Sequence, residues 1–381
     1  MNLIDDLYRH RKLSSLSASH GAVAFTVQSL IRDSGETRSV IWICRREGTL
    51  EPLSSDECSS YGPAWSHDGR RIAFVRSSQQ KPQVLMIDLE GGHASVEHVL
   101  PGSVASIEQW DSERARMLLR ITHQESAAPD DPYVIEHVPY KSDGLGYTTR
   151  EHMHLHQLDE KTGRTEAVVT GADVLEARWS PDGATLAYVQ RADGRQRHAT
   201  CLWLKQGDQA RRIAGTLVSV SGVQWSPDGT RIALAGSAIP GDSMSYLHVV
   251  DVADGKAERI GDVELVIPAC IEWMEDGGWR VVQAWQGRQR LVRVRESGEV
   301  EALHDEADLQ IAAAANVGGR IAFIGAGPAS GRNCTGAMPT AATRRRAAHS
   351  THGGRRMNSK PGAAGSPCPM ARAARKTSMA G

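Results

Sequence analysis

Trp179-Ser180-Pro181-Asp182-Gly183 leads into Thr185-Leu186-Ala187-Tyr188-Val189, and the same phrase occurs twice more. Trp225-Ser226-Pro227-Asp228-Gly229 leads into Arg231-Ile232-Ala233-Leu234, and Trp65-Ser66-His67-Asp68-Gly69 into Arg71-Ile72-Ala73-Phe74-Val75. Proline presets φ at the first turn position, aspartate bonds the backbone ahead of it, and glycine takes positive φ without a Cβ clash. The run after each turn is almost wholly apolar, as a strand covered on both faces must be. A third strand follows, for example Gln83-Val84-Leu85-Met86-Ile87-Asp88-Leu89, then a glycine-containing turn and a more polar fourth strand. Self-similarity at roughly 40–50 residues marks a propeller or solenoid, and four antiparallel strands per unit make a propeller blade.

Weaker copies lie at Ile107 to Trp110, at Trp273-Met274-Glu275-Asp276-Gly277, at His20-Gly21 and at Gly318-Gly319. Anchors fall near positions 17, 65, 110, 179, 225, 273 and 314. The fold class expected is therefore all-β: a seven-bladed β-propeller with an incomplete last blade. The propeller is expected over 17–324 and an N-terminal segment over 1–16. The latter reads as a short helix with Leu3, Ile4 and Leu7 on one face. The long interval between Trp110 and Trp179 places an insertion at about 124–149.

The bulk numbers exclude several classes. Among 381 residues, 40% are hydrophobic and 23% charged, and the formal net charge is -1. No whole-chain attraction to nucleic acid or an anionic membrane follows, so neither is expected as a partner. Six cysteines without C-x-x-C spacing read as reduced thiols rather than as a disulfide framework or a zinc site. The first residues carry Asp5, Asp6, Arg9, Arg11 and Lys12 and no apolar h-region, and no long apolar stretch follows. A cytoplasmic location is the expectation. The turn aspartates are spread one per blade, so they read as turn formers, not calcium ligands.

The repeats resemble those of TolB-type propellers. Asp5-Asp6-Leu7-Tyr8-Arg9 and Pro139-Tyr140-Lys141-Ser142-Asp143-Gly144-Leu145-Gly146-Tyr147, with His154-Leu155-His156-Gln157-Leu158-Asp159, resemble acylaminoacyl-peptidase-like members of the prolyl oligopeptidase family. The resemblance covers about 1–324. It implies a propeller that restricts access of peptides to a Ser-Asp-His triad in an α/β-hydrolase domain with a Gly-x-Ser-x-Gly elbow. No such motif occurs in this chain, whose nearest run is Gly327-Pro328-Ala329-Ser330-Gly331. The function expected is the substrate-gating propeller portion of such a peptidase, truncated and inactive alone. The alternative is a stand-alone TolB-like protein-binding module. Peptides, a hydrolase domain or a protein partner are expected, with no cofactor and no catalytic residue in this chain.

Two segments stand out as candidate sites. Tyr140, Lys141, Asp143 and Tyr147 lie in the insertion, where long loops on rigid scaffolds carry contacts. They face either a substrate or partner, or their own blade. His152-Met153-His154-Leu155-His156 places three imidazoles on one strand face, a set able to bind zinc. Because His154-Leu155-His156 matches the family strand, an exposed strand face with no metal is the expectation.

After Ile324 the composition changes abruptly. From Gly325 to Gly381 there is no Asp or Glu and no Val, Leu, Ile, Phe, Tyr or Trp. Such a segment has little to bury and is expected to be a disordered basic tail over 325–381. Arg344-Arg345-Arg346 and Arg355-Arg356 could meet phosphates, but no aromatic residue is there to stack a base. A reading-frame shift in mid-blade is the favoured origin, leaving the last blade without its third and fourth strands.

Overall fold

The computed structural model describes residues 8, 10–19, 21–45, 48–77, 81–91, 94–124, 132, 134–135, 140–142, 146–147, 151–171, 173–192, 198–240, 243–266, 270–306, 309–326 and 333–339. Its elements are all strands. They fall into two compact units, 58–307 and the pair of segments 1–57 and 308–381.

The larger unit holds five four-stranded antiparallel sheets of blade form, each in chain order. We number the sheets along the chain. The second comprises Ser60–Trp65, Arg71–Arg76, Gln83–Asp88 and Ala94–Val99. The third comprises Val104–Asp111, Arg116–Gln124, Glu151–Asp159 and Thr165–Val169. The fourth runs from Val174–Trp179 to Gln209–Ile213, the fifth from Ser219–Trp225 to Ala257–Glu264, and the sixth from Ile271–Trp273 to Val300–His304. The first strands match the anchors read from the sequence.

The predicted turn chemistry is present three times over. Ser66, Ser180 and Ser226 hydroxyls donate to Asp68, Asp182 and Asp228 Oδ1 at 2.6, 2.5 and 2.6 Å. Each serine Oγ also accepts a backbone N–H at the start of the next strand or just before it: Arg71, Thr185 and Arg231, all at 2.9 Å. The same carboxylates accept N–H groups of Arg70, Ala184 and Thr230. These bonds favour the charged form, so all three aspartates titrate below the usual carboxylate value, Asp228 at about 2. Gly183 sits at φ 71°, where a Cβ would also lie 2.5 Å from Arg116 Nη2.

The second strands are buried on both faces as expected: Ile72, Ala73, Phe74 and Val75 are 0–1% exposed. Ile72, Phe74 and Val75 each contribute roughly 1.5–3 kcal/mol on burial. Successive sheets share their cores. Ala73 and Val75 of the second pack with Met117, Leu119 and Ile121 of the third. Leu118 and Leu155 pack with Val174, Ala177 and Leu186 of the fourth, and the fifth and sixth join through Leu247, Trp279 and Val292.

A polar stitch runs between these sheets. Arg71 lies over the Trp110 ring at 5.0 Å, Arg116 over Trp179 at 4.2 Å, and Arg231 over Trp273 at 5.3 Å. In each case the arginine opens a second strand and the tryptophan belongs to the following sheet. Indole N–H groups continue the stitch, Trp225 donating to Arg178 O and Trp273 to Gln224 O. Trp110 is buried in this seam, and Trp179, Trp225 and Trp273 are half-buried against the inter-sheet cores.

In the smaller unit, Arg11–Ser19, Ala22–Leu30, Thr37–Cys44 and Leu50–Pro52 form the first sheet. Arg11–Ser19 pairs with Ala22–Leu30 and buries Leu13, so the expected N-terminal helix does not extend through 11–16. Strand pairing across the Gly21 turn satisfies that backbone instead. Leu3, Ile4 and Leu7 lie outside the described residues.

The last sheet joins Gln310–Val317, Arg320–Ala326 and Asn333–Pro339. Among the described residues, then, six blades are four-stranded rather than seven, and the last sheet has three strands, in line with the expected incomplete last blade. The expected loss of the third strand is corrected, because Asn333–Pro339 pairs with Arg320–Ala326 from Arg320↔Pro339 to Ala326↔Asn333. Backbone groups alone make that ladder, so a segment poor in apolar side chains can still supply an edge strand. Residues 340–381 of the expected tail lie outside the described residues. Phe25, Val27, Ala322 and Ile324 form the unit's core.

Candidate functional site

The third sheet is where the repeat is broken. The connection between its second and third strands runs over 125–150, against 77–82, 192–199, 238–245 and 286–287 in the other sheets of the larger unit. Within the insertion, Lys141–Ser142 and Gly146–Tyr147 pair antiparallel, with Lys141 opposite Tyr147. Tyr140 and Lys141 are exposed where this hairpin begins. Asp143 lies outside the described residues, and Tyr147 is described as backbone only. The structure thus places Tyr140, Lys141 and Tyr147 on one hairpin.

At the root of the insertion stands a group of histidines. The strands Arg116–Gln124 and Glu151–Asp159 pair with His123 opposite His152, Ile121 opposite His154 and Leu119 opposite His156. Directly opposed residues share a face. The three predicted imidazoles therefore share theirs with a fourth, His123. His123 Nε2 lies 3.0 Å from His156 Nε2. Its ring centroid is 4.9 Å from that of His154 and 5.1 Å from that of His156. One ligand atom from each of His123, His154 and His156 lies within 4.8 Å of the other two.

The expected exposed strand face is corrected here. His156 is 6% exposed, and His154 is only partly accessible. The face turns toward the second sheet, whose side chains share the core formed by Leu119 and Ile121. Burial, then the neighbouring His123 and His154, pulls His156 down to about 4. His154 is lowered by burial and by His123 and His152, and Asp173 opposes this. At neutral pH both rings are therefore uncharged and keep a lone pair. Asp173 is buried, accepts the Met153 N–H at 3.2 Å, and lies 3.8 Å from His152 Nδ1.

A second polar line runs along the first strands. Arg120 pairs with Glu108 at 3.0 Å, and Arg280 pairs with Glu272. Glu176 is pushed up by burial, while Val223 N–H donates to it at 3.4 Å. His123 had no motif in the sequence. Only the strand register, hidden by the insertion, joins it to the other three.

These features define the class: an all-β propeller built on a Trp-Ser-Pro-Asp-Gly turn, with one interrupted blade. No family model matches the chain. Its propeller is similar to those of acylaminoacyl peptidase and prolyl endopeptidases. Over 185 residues it is 27% identical to YuxL of Bacillus subtilis, an uncharacterized peptidase, a match spanning 45% of this chain and 28% of that one. Acylaminoacyl peptidase of Pyrococcus horikoshii superposes with a TM-score of 0.63 at 18% identity, covering 84% of this chain and 50% of that one. The propeller domain of the Trilobed protease from Pyrococcus furiosus gives 0.55 at 12% identity, with 87% and 96% covered. The chain thus spans about half or less of the full-length peptidases it matches.

Proposed function

We propose that this chain is the substrate-gating propeller portion of a serine peptidase of the acylaminoacyl-peptidase type, inactive by itself. The observation that carries the reading is the 27% identity to a peptidase over 185 residues. The shared propeller fold supports it, and so does the lack of any Gly-x-Ser-x-Gly run in the 381 residues. In this reading the sheets act as a sieve. Peptides or a hydrolase domain are its partners, and the insertion hairpin bearing Tyr140, Lys141 and Tyr147 offers contacts to one of them. A net charge of -1 gives no long-range pull toward nucleic acid or anionic membranes, and the proposed setting is the cytoplasm.

The test uses the purified chain and an acylated-amino-acid chromogenic substrate. The expected rate equals that of a buffer blank. Hydrolysis above the blank, abolished by a serine-directed inhibitor, overturns the inactive reading. The nucleotide sequence past codon 324 provides a second test. An alternative frame there is expected to encode a completed blade and a Gly-x-Ser-x-Gly elbow, and stops in every frame count against it.

A further inference from the structure

We propose that His123, His154 and His156 form a binding site for a first-row transition-metal dication, Zn2+ being the ion it fits best. Four histidines converge on one face of the third sheet, and three of them bring a ring nitrogen within 4.8 Å of one another. Tetrahedral zinc with Zn–N of about 2.0–2.1 Å holds its ligand nitrogens about 3.3–3.4 Å apart. The His123 and His156 nitrogens, at 3.0 Å, already stand close to that spacing. His154, more accessible than His156, would close the remaining gap by side-chain rotation.

The donor set decides the class of ion. Imidazole suits Zn2+, Cu2+, Ni2+ and Fe2+, whereas Mg2+ and Ca2+ take oxygen ligands. Three protein nitrogens leave a fourth tetrahedral position for water or an incoming group. Without metal, the His123–His156 contact needs an N–H on one ring and a lone pair on the other. With metal, both Nε2 atoms offer lone pairs, so the donor ring carries its proton on Nδ1. The Asp173 carboxylate lies 3.8 Å from Nδ1 of His152, the fourth histidine of this face.

The site also sits where the chain departs from its repeat. His123 is the last residue but one of its strand, and His152 is the second of the returning one, so the insertion over 125–150 is anchored at the cluster. A bound ion would clamp those two strand ends together. This inference stands apart from the peptidase reading.

The experiment titrates Zn2+ into the chelator-stripped full chain against a competing chromophoric chelator. Co2+ is used in parallel to report geometry by its visible absorption. One ion per chain is expected, with the intense Co2+ bands of a four-coordinate site. His123→Ala and His154→Gln are each expected to weaken binding tenfold or more. His67→Ala, at a side chain 74% exposed, is expected to leave it unchanged. Because neither substituted ring is the most buried one, far-UV dichroism and the urea midpoint establish that the variants fold. Equal Zn2+ binding by the wild type and a folded double variant overturns the site, as does the absence of stoichiometric binding.

Discussion

Replacing Arg116 by alanine tests whether the arginine-over-tryptophan stitch holds neighbouring sheets together. The guanidinium has three partners: Asp111 Oδ2 at 3.0 Å, the Gly183 carbonyl at 2.9 Å, and the Trp179 ring at 4.2 Å from its centroid. Its side chain is 16% exposed, so solvent screens these contacts weakly. Asp111 keeps Arg114 at 3.1 Å after the substitution, so its carboxylate is not stranded. The loss is then a charge-assisted bond to a carbonyl, about 1.5–3 kcal/mol, and a partly desolvated cation–π contact, about 1 kcal/mol. About 3 kcal/mol is expected in all.

The comparison variant is Arg70→Ala. Arg70 pairs with Glu90 at 3.3 Å, but the two side chains are 63% and 75% exposed, and such pairs contribute about 0–1 kcal/mol. Urea unfolding of the full chain reads both. Arg116→Ala is expected to lower the midpoint several times further than Arg70→Ala at constant slope. A double-mutant cycle with Trp179→Leu is expected to show about 1 kcal/mol of coupling. Equal midpoints for Arg116→Ala and Arg70→Ala would refute the stitch, and zero coupling would remove the cation–π part of it.

Two further outcomes follow from the turns. Gly183→Ala forces a side chain into φ 71° and toward Arg116 Nη2 at 2.5 Å, whereas Gly207→Ala meets φ 56° with nothing within 4 Å. The first is expected to destabilise clearly more than the roughly 1–2 kcal/mol of left-handed strain that the second carries, measured by the same urea midpoints. Asp228 titrates at about 2 because the Ser226 hydroxyl, then the Thr230 N–H and hydroxyl, stabilise its charged form. Its folded value lies below the unfolded one, so its contribution is present above about pH 4 and is lost as pH falls toward 2. Asp228→Asn is expected to flatten the stability profile in that window, and an unchanged acid limb argues against the turn bonds as its cause.

What could be read from the sequence was local. The turn Trp225-Ser226-Pro227-Asp228-Gly229 spells its conformation in consecutive residues, and the apolar run of Ile232 to Ala235 spells its burial. What could not be read was what crosses from one sheet to the next. Arg116 meets Trp179 and Arg231 meets Trp273 only after the sheets have packed. The third strand of the last sheet was missed for a different reason. Composition weighs what a segment can bury, whereas Asn333–Pro339 joins Arg320–Ala326 through backbone groups that every residue but proline offers in full.

The histidine cluster shows how a repeat hides a site and then reveals it. Three of its rings were visible as His152-Met153-His154-Leu155-His156, and resemblance to a family strand argued for an unremarkable exposed face. Resemblance of a strand says what the backbone does; it does not say what the opposite strand brings. His123 is brought by Arg116–Gln124, the partner strand, across a connection too long to count register through. The other second-to-third connections of the larger unit are short, and none of the strands flanking them carries a histidine pair at its end. In a structure made of copies, the residues that carry chemistry are those that the copying does not require. His123, His154 and His156 meet that description, since neither the turns nor the inter-sheet stitch uses them.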